Sequence, residues 1–229
     1  MCIRDRGNSV MYYQKSSSYN IAIGQNAIYG VASGVTGNCN VAIGQWAGKN
    51  ISTGMNNIFL GVDAGCGDSA GLTGTNNIAM AVFAGKYLSS GGNNILFGPY
   101  AGCSVTTGSN NNAYGYQALD SITTADGNSA FGHTACQAVT SGTYNTGIGY
   151  AAKTGSTGDY NISIGANAGS NNMSRDDNIS IGQNAGSSIT NGEYNILIGE
   201  GAGQNITTAD HSICLLYKSP SPRDVEESR

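Results

Sequence analysis

Only 10% of the 229 residues are charged, and the chain holds three prolines, two histidines and one tryptophan. Each scarcity closes a function class. With 10 Lys and Arg against 14 Asp and Glu, no basic patch exists to neutralise phosphates, which excludes nucleic acid as a partner. Neither a CxxC pair nor Cys/His ligand spacing occurs among six cysteines and two histidines, so no metal is expected. No Ser or Cys recurs beside a His and an acid, which leaves a hydrolytic triad without support, and no catalytic residue or cofactor is expected. The GGxGxD array of calcium-binding β-rolls is missing, and the one adjacent acidic pair, Asp176 and Asp177 beside Arg175, reads as a solvated loop. No membrane helix is visible, and no membrane contact is expected of these residues. What abounds is glycine, 35 residues, with Asn, Ser and Thr. Such a composition suits a disordered linker, but the order of these residues argues against one.

Eleven times the chain returns to one phrase: an asparagine, a β-forming triplet, a glycine, then an alanine three residues on. The phrases begin at Asn20, Asn40, Asn57, Asn77, Asn94, Asn111, Asn128, Asn145, Asn161, Asn178 and Asn195. Successive asparagines lie 20, 17, 20, 17, 17, 17, 17, 16, 17 and 17 residues apart. That period is too short for helix-pair repeats and right for one coil of a β-solenoid, so the expected class is all-β, a parallel solenoid of ~17-residue coils.

Counting coils 1 to 11 from these asparagines, position 1 is always Asn and position 8 always Ala, from Ala27 to Ala202. Position 5 is Gly24, Gly44, Gly61, Gly98, Gly115, Gly132, Gly149, Gly165, Gly182 or Gly199, with Ala81 the exception. The glycine marks a turn that a Cβ would strain, and alanine marks room for one methyl group. Stacked asparagines can bond amide to amide along a rod, as in cross-β ladders. Positions 2 and 4 are mostly large aliphatics, such as Ile21 and Ile23 or Ile196 and Ile198. Spacing of two puts them on one strand face, expected to point into the coil. An aliphatic near position 12 (Val31, Ile51, Leu88, Val105, Ile122, Val139, Ile189, Ile206) is expected to close the core from the other side. Position 3 then faces away, yet it is apolar in Ala22, Ala42, Phe59, Ala79, Leu96, Ala130 and Leu197. Two readings stand: a second small core layer, or a surface buried against sister chains around a threefold axis.

The ends read differently. Met1 to Asp5, MCIRD, and Cys214 to Asp224, CLLYKSPSPRD, resemble the two strands of a transposase adapter used in sequencing libraries, departing at Lys218. Residues 1–6 and 214–229 are therefore set aside as adapter-like, the latter expected to be disordered, and 7–213 is read as the repeat domain of a longer protein. That core carries five basic and ten acidic residues.

Cys39, Cys66, Cys103 and Cys136 read as thiols in turns. Cys66 and Cys103 share a column two coils apart, about 9.6 Å at ~4.8 Å per coil, too far to bridge. His133 reads as a solvent-facing turn residue, and His211 as the residue where the next coil's Asn would stand. Trp46, Tyr100, Tyr116 and Tyr150 follow the strands at positions 6 and 7, where rings on a rigid edge can meet sugars or receptor side chains. The plainer reading has them shielding the turn or an interchain seam.

NIAIGQNA, NVAIGQWAG and NISIGANAG resemble the head repeats of trimeric autotransporter adhesins, and NNAYGYQAL with SITTADGNSAFG resembles repeats of phage-type tail fibre proteins. The similarity covers nearly all of residues 8–213. It implies a left-handed parallel β-roll, three chains side by side, forming an extracellular fibre on a virion tail or bacterial surface. An unknown cell-surface receptor or glycan is the implied partner. The mostly 17-residue coil is longer than the adhesin repeat and leans toward the fibre. An ice-binding solenoid would need a flat threonine array; Thr53, Thr107, Thr124 and Thr208 share a phase, but Gly, Asn and Ser interrupt the column.

Overall fold

Apolar triplets framed by Asn and Gly are too short for helices and right for brief strands, and each becomes one. A computed structural model describes residues 3–4, 8–153, 155–169 and 175–216. Strands recur once per coil at Ile21–Ile23, Val41–Ile43, Ile58–Leu60, Ile78–Met80, Ile95–Phe97, Asn112–Tyr114, Ser129–Phe131, Thr146–Ile148, Ile162–Ile164, Ile179–Ile181, Ile196–Ile198 and Ile213–Leu215. With Ile3–Arg4 they form one 13-stranded parallel sheet. Register never slips: Ile21 pairs with Val41, Val41 with Ile58, and Ile179 with Ile196. Ala138–Val139 and Gly155–Ser156 form a second, two-stranded pair. No helix occurs among the described residues. The chain is a parallel β-solenoid of about eleven coils, as the period implied.

The facing of the strands is the reverse of the expectation. Position 3 is the buried one: Ala22, Ala42, Phe59, Ala79, Leu96, Ala113, Ala130, Ser163, Ser180 and Leu197 are all fully buried, while positions 2 and 4 are half-buried or exposed in every coil. The asparagine sets this parity. Its side chain turns inward, and successive residues alternate faces, so position 3 follows Asn into the core and positions 2 and 4 are carried outside. Position 3 therefore cannot meet sister chains.

Every repeat asparagine is buried with its amide satisfied. Asn57 is representative: its N–H and Nδ2 both donate to Asn40 Oδ1, each at 3.0 Å, and Nδ2 also donates to Gly74 O at 3.0 Å. Its own Oδ1 accepts from the N–H and Nδ2 of Asn77 at 2.9 and 3.1 Å. Each asparagine thus ties its strand to the preceding coil and to the far turn of its own. The stacking of amides foreseen from the column is present, and it reaches across the coil as well as along it.

The opposite wall uses Ile51, Leu88, Val105, Ile122, Val139 and Ile189 at position 12, all fully buried. In coils 1 and 3 the wall residues are Val35 and Leu72 at position 16, not Val31, because these 20-residue coils carry four more residues before the wall and one fewer after it. Val35 bridges to Gln14, and Leu72 to Ile51.

Position 9 faces position 3, and their sizes trade off. A Cβ on Gly65 would come within 2.3 Å of the Phe59 ring, and one on Gly102 within 2.6 Å of Leu96. Where position 3 shrinks to Ala113, Ala130 or Gly147, position 9 is Leu119, Cys136 or Lys153, each fully buried. Where both positions are small, as at Ala42 with Gly48 and Ala79 with Gly85, the larger position 3 of the following coil, Phe59 or Leu96, reaches the glycine instead.

At the C-terminal side the sheet continues past residue 213. Cys214 pairs with Leu197 and Leu215 with Ile198, so the adapter-like boundary falls inside a strand. An open sheet edge offers N–H and C=O groups to any extended backbone, whatever its side chains. Ser212, not His211, stands in the asparagine column, its N–H donating to Asn195 Oδ1 at 2.9 Å. Residues 217–229 lie outside those described.

Candidate functional site: an apolar face and an aromatic edge

The outward strand positions form the most conspicuous surface. Position 4 runs Ile23, Ile43, Leu60, Met80, Phe97, Tyr114, Phe131, Ile148, Ile164, Ile181 and Ile198 without a polar interruption. Position 2 adds aliphatics except at Asn112, Ser129 and Thr146. Exposure is substantial, 37% at Ile58 and 45% at Phe97. In the middle of the column rings stack, Phe97 on Tyr114 at 6.0 Å and Tyr114 on Phe131 at 4.7 Å between centroids. At ~4.8 Å per coil the stripe is roughly 50 Å long. Sequence reasoning listed these residues but assigned them to the core.

Beside the sheet, the residues after the glycine turn outward. Position 7 is left-handed in every coil, including Trp46 and Tyr100 at φ 61°. Three of the four aromatic residues singled out from sequence are brought together. Phe83, Tyr100, Tyr116, His133 and Tyr150 contact in series, with centroid separations of 5.1, 6.1, 5.0 and 5.5 Å. Tyr116 and Tyr150 are 41% and 59% exposed, Tyr100 is half-buried, and His133 is exposed within the ladder. Trp46 stands apart from this series, with Lys49 Nζ 5.9 Å from its ring centroid. Because Tyr116, His133 and Tyr150 stack on one another, their faces are occupied, and what they offer outward is ring edges and phenol hydroxyls. Sugars would meet that edge through hydrogen bonds and Trp46 through its ring.

A second aromatic edge, just ahead of the asparagine column, escaped the sequence reading. Tyr144 stacks on Tyr160 at 5.3 Å and Tyr194 on His211 at 4.9 Å. The signal was present as Tyr19, Tyr144, Tyr160 and Tyr194 one residue before Asn.

Four aspartates of the turns have structural partners. Asp126, Asp159, Asp176 and Asp210 each accept a backbone N–H of the preceding coil, from Ser109, Thr143, Asp159 and Glu193 respectively. Among the described residues no group of three or more His, Cys, Asp or Glu is placed to hold a metal ion. Cys66, Cys103 and Cys136 are free and buried. Burial pushes the Cys66 and Cys103 thiols up to about 11, with Asp63 and Asp120 adding to it, and Cys136 up to about 12. Thiols held protonated in this way are poor nucleophiles at neutral pH. No helix among the described residues is long and apolar enough to cross a membrane.

No family model matches the chain, and no match to a curated protein or a solved structure reaches significance. The fold and its surfaces therefore carry the functional argument.

Proposed function

We propose that this chain is a non-enzymatic segment of a trimeric extracellular fibre, of the phage tail fibre kind, that spaces or presents contacts to a host or other surface. The observation that carries the reading is the apolar stripe at positions 2 and 4. A face of this length, apolar at position 4 in every coil, is costly to leave in water. Three parallel rods meeting along it would bury it around a threefold axis, with every coil contributing the same contact. The trimer seam expected at position 3 is thereby relocated to positions 2 and 4. A bacterial adhesin head would use the same seam and is the alternative reading.

Light scattering on the full chain tests the proposal. A trimer is expected, and Phe131→Asp with Ile148→Asp should give monomers whose circular dichroism matches the parent, because both side chains are exposed on the isolated rod. A monodisperse wild-type monomer would overturn it. The attachment role rests on the aromatic edge. Trp46→Ala combined with Tyr116→Ala should lower adsorption to cells or glycan arrays several-fold while leaving the oligomer intact, and unchanged adsorption would remove these residues from the contact.

A further inference from the structure

The interior changes character between coils 7 and 11. One buried apolar cluster extends from Val10 to Val139, and another begins at Ala185. Between them, positions 3 and 9 hold Gly147, Lys153, Ser163 and Ser180, all buried. Lys153 is fully buried, which for lysine is rare without a partner. Its place follows from the facing of the two columns. A Cβ on Gly147 would lie 2.4 Å from Cys136 Sγ, and one on Gly186 would lie 2.4 Å from Ser180 Oγ, so position 9 looks across the core at position 3 of its own and the following coil. By the same facing, Lys153 looks across at Gly147 and then Ser163, position 3 of its own and of the following coil, while the space beside the Gly147 Cα is taken by Cys136 Sγ. Its N–H donates to Ala168 O of that next coil at 2.8 Å. Ser163 and Ser180 are register partners one coil apart.

Lys153 Nζ, Ser163 Oγ and Ser180 Oγ are buried and make no hydrogen bond among the described residues. The groups whose charge bears on Lys153 are Cys136, Asp159 and Asp176. Cys136 is a protonated thiol at neutral pH, and the two carboxylates are engaged with the Thr143 and Asp159 amides. A buried ammonium with no close counter-charge is strongly disfavoured. The ammonium can only donate, and each hydroxyl has one proton to donate. They suit a small spherical anion that accepts from several directions, and they do not suit a cation.

We infer that the core of coils 8 to 10 encloses a monovalent anion of the halide class, held by the Lys153 ammonium with the Ser163 and Ser180 hydroxyls as further donors. The inference is independent of the fibre reading, since it concerns the inside of one rod. It also explains why a lysine is tolerated in a column otherwise filled by Gly, Ile, Leu and Cys.

The test uses the full chain in sodium bromide and in sodium gluconate at equal ionic strength. Crystals grown in bromide should show one anomalous peak beside Lys153 Nζ. Thermal midpoints at pH 7 should be higher in bromide by roughly 5–10 °C when the halide is about a hundredfold above its dissociation constant. Burial holds the Lys153 ammonium down at about 8 in the absence of a bound anion. The bromide advantage should therefore fade toward pH 10.5, where a neutral amine no longer attracts the ion. Lys153→Met keeps the length of the stem and should abolish the bromide response. Ser163→Ala with Ser180→Ala, which removes only two hydroxyls, should reduce it, and it decides the matter should the lysine variant fail to fold. Ordered water without anomalous signal, equal midpoints in the two salts, or a full bromide response in either variant would overturn the inference.

Discussion

Asn111→Leu, in the middle coil, is expected to destabilise the solenoid by about 4–6 kcal/mol, a large share of the about 5–15 kcal/mol that holds an ordinary domain folded. Asn111 Nδ2 donates to Asn94 Oδ1 at 3.2 Å and to Ala125 O at 2.9 Å, and its Oδ1 accepts the N–H and Nδ2 of Asn128 at 3.0 and 3.3 Å. Leucine fills the same space and makes none of these bonds. The Asn128 N–H and the Ala125 carbonyl are then left buried without partners, and each orphaned group costs about 1–3 kcal/mol beyond the bond itself. In a stack where each coil touches only its neighbours, a weak central interface also divides the cooperative unit. Urea unfolding should show both a lower midpoint and a broader or two-step transition. A loss under about 1 kcal/mol would mean that water replaces the asparagine and that the ladder is not what binds coil to coil.

The class of fold was legible because its cause is periodic. Asn at position 1, Gly at 5 and Ala at 8 each answer a steric or hydrogen-bonding demand that recurs every coil, so phase alone locates the strands. The facing of the strands was misread because hydrophobicity was allowed to outweigh size. Positions 2 and 4 carry large β-branched and aromatic residues, and position 3 carries mostly Ala, Ser or Gly. In a coil of only about 17 residues the inside is the narrow side, and the small column belongs there. The buried asparagine points the same way, since positions 1 and 3 share a face. Attending to that parity would have put the large apolar residues outside, where they become the candidate site.

Lys153 was missed for a related reason. Column 9 is not uniform, because its residues answer to position 3 of two coils, as Gly65 does to Phe59 and Cys136 to Gly147. The aromatic edge was legible by phase at Tyr100, Tyr116 and Tyr150. Phe83 shares position 7 with Tyr100, and His133 shares position 6 with Tyr116 and Tyr150, so they too were legible by phase; what the sequence did not show is the crossing from position 7 to position 6, where Tyr100 meets Tyr116 edge-on.

Gly115→Ala should cost about 3–5 kcal/mol although it adds a single methyl group. Gly115 has φ +140°, outside the left-handed well that Lys153, Leu119 and Cys136 occupy at 47° to 53°. Holding alanine at such an angle costs about 1–3 kcal/mol. The new Cβ would also lie 2.3 Å from Gly132 O and 2.7 Å from Gly132 C. Those atoms are backbone of the next coil, so relief requires moving one coil against another and weakening the sheet, which adds about 1–3 kcal/mol. The chain contains its own control. Ala81 occupies this column at φ 114°, so coil 4 already carries the strain that glycine avoids elsewhere. Ala81→Gly should therefore stabilise the solenoid, by about 1 kcal/mol, less than the reverse change costs because coil 4 has adapted and glycine loses more chain entropy on folding. Paired unfolding curves for the two variants, one shifted down and the other up, would locate the demand for glycine in the approach of successive backbones; a neutral Gly115→Ala would show that the stack can open there without loss.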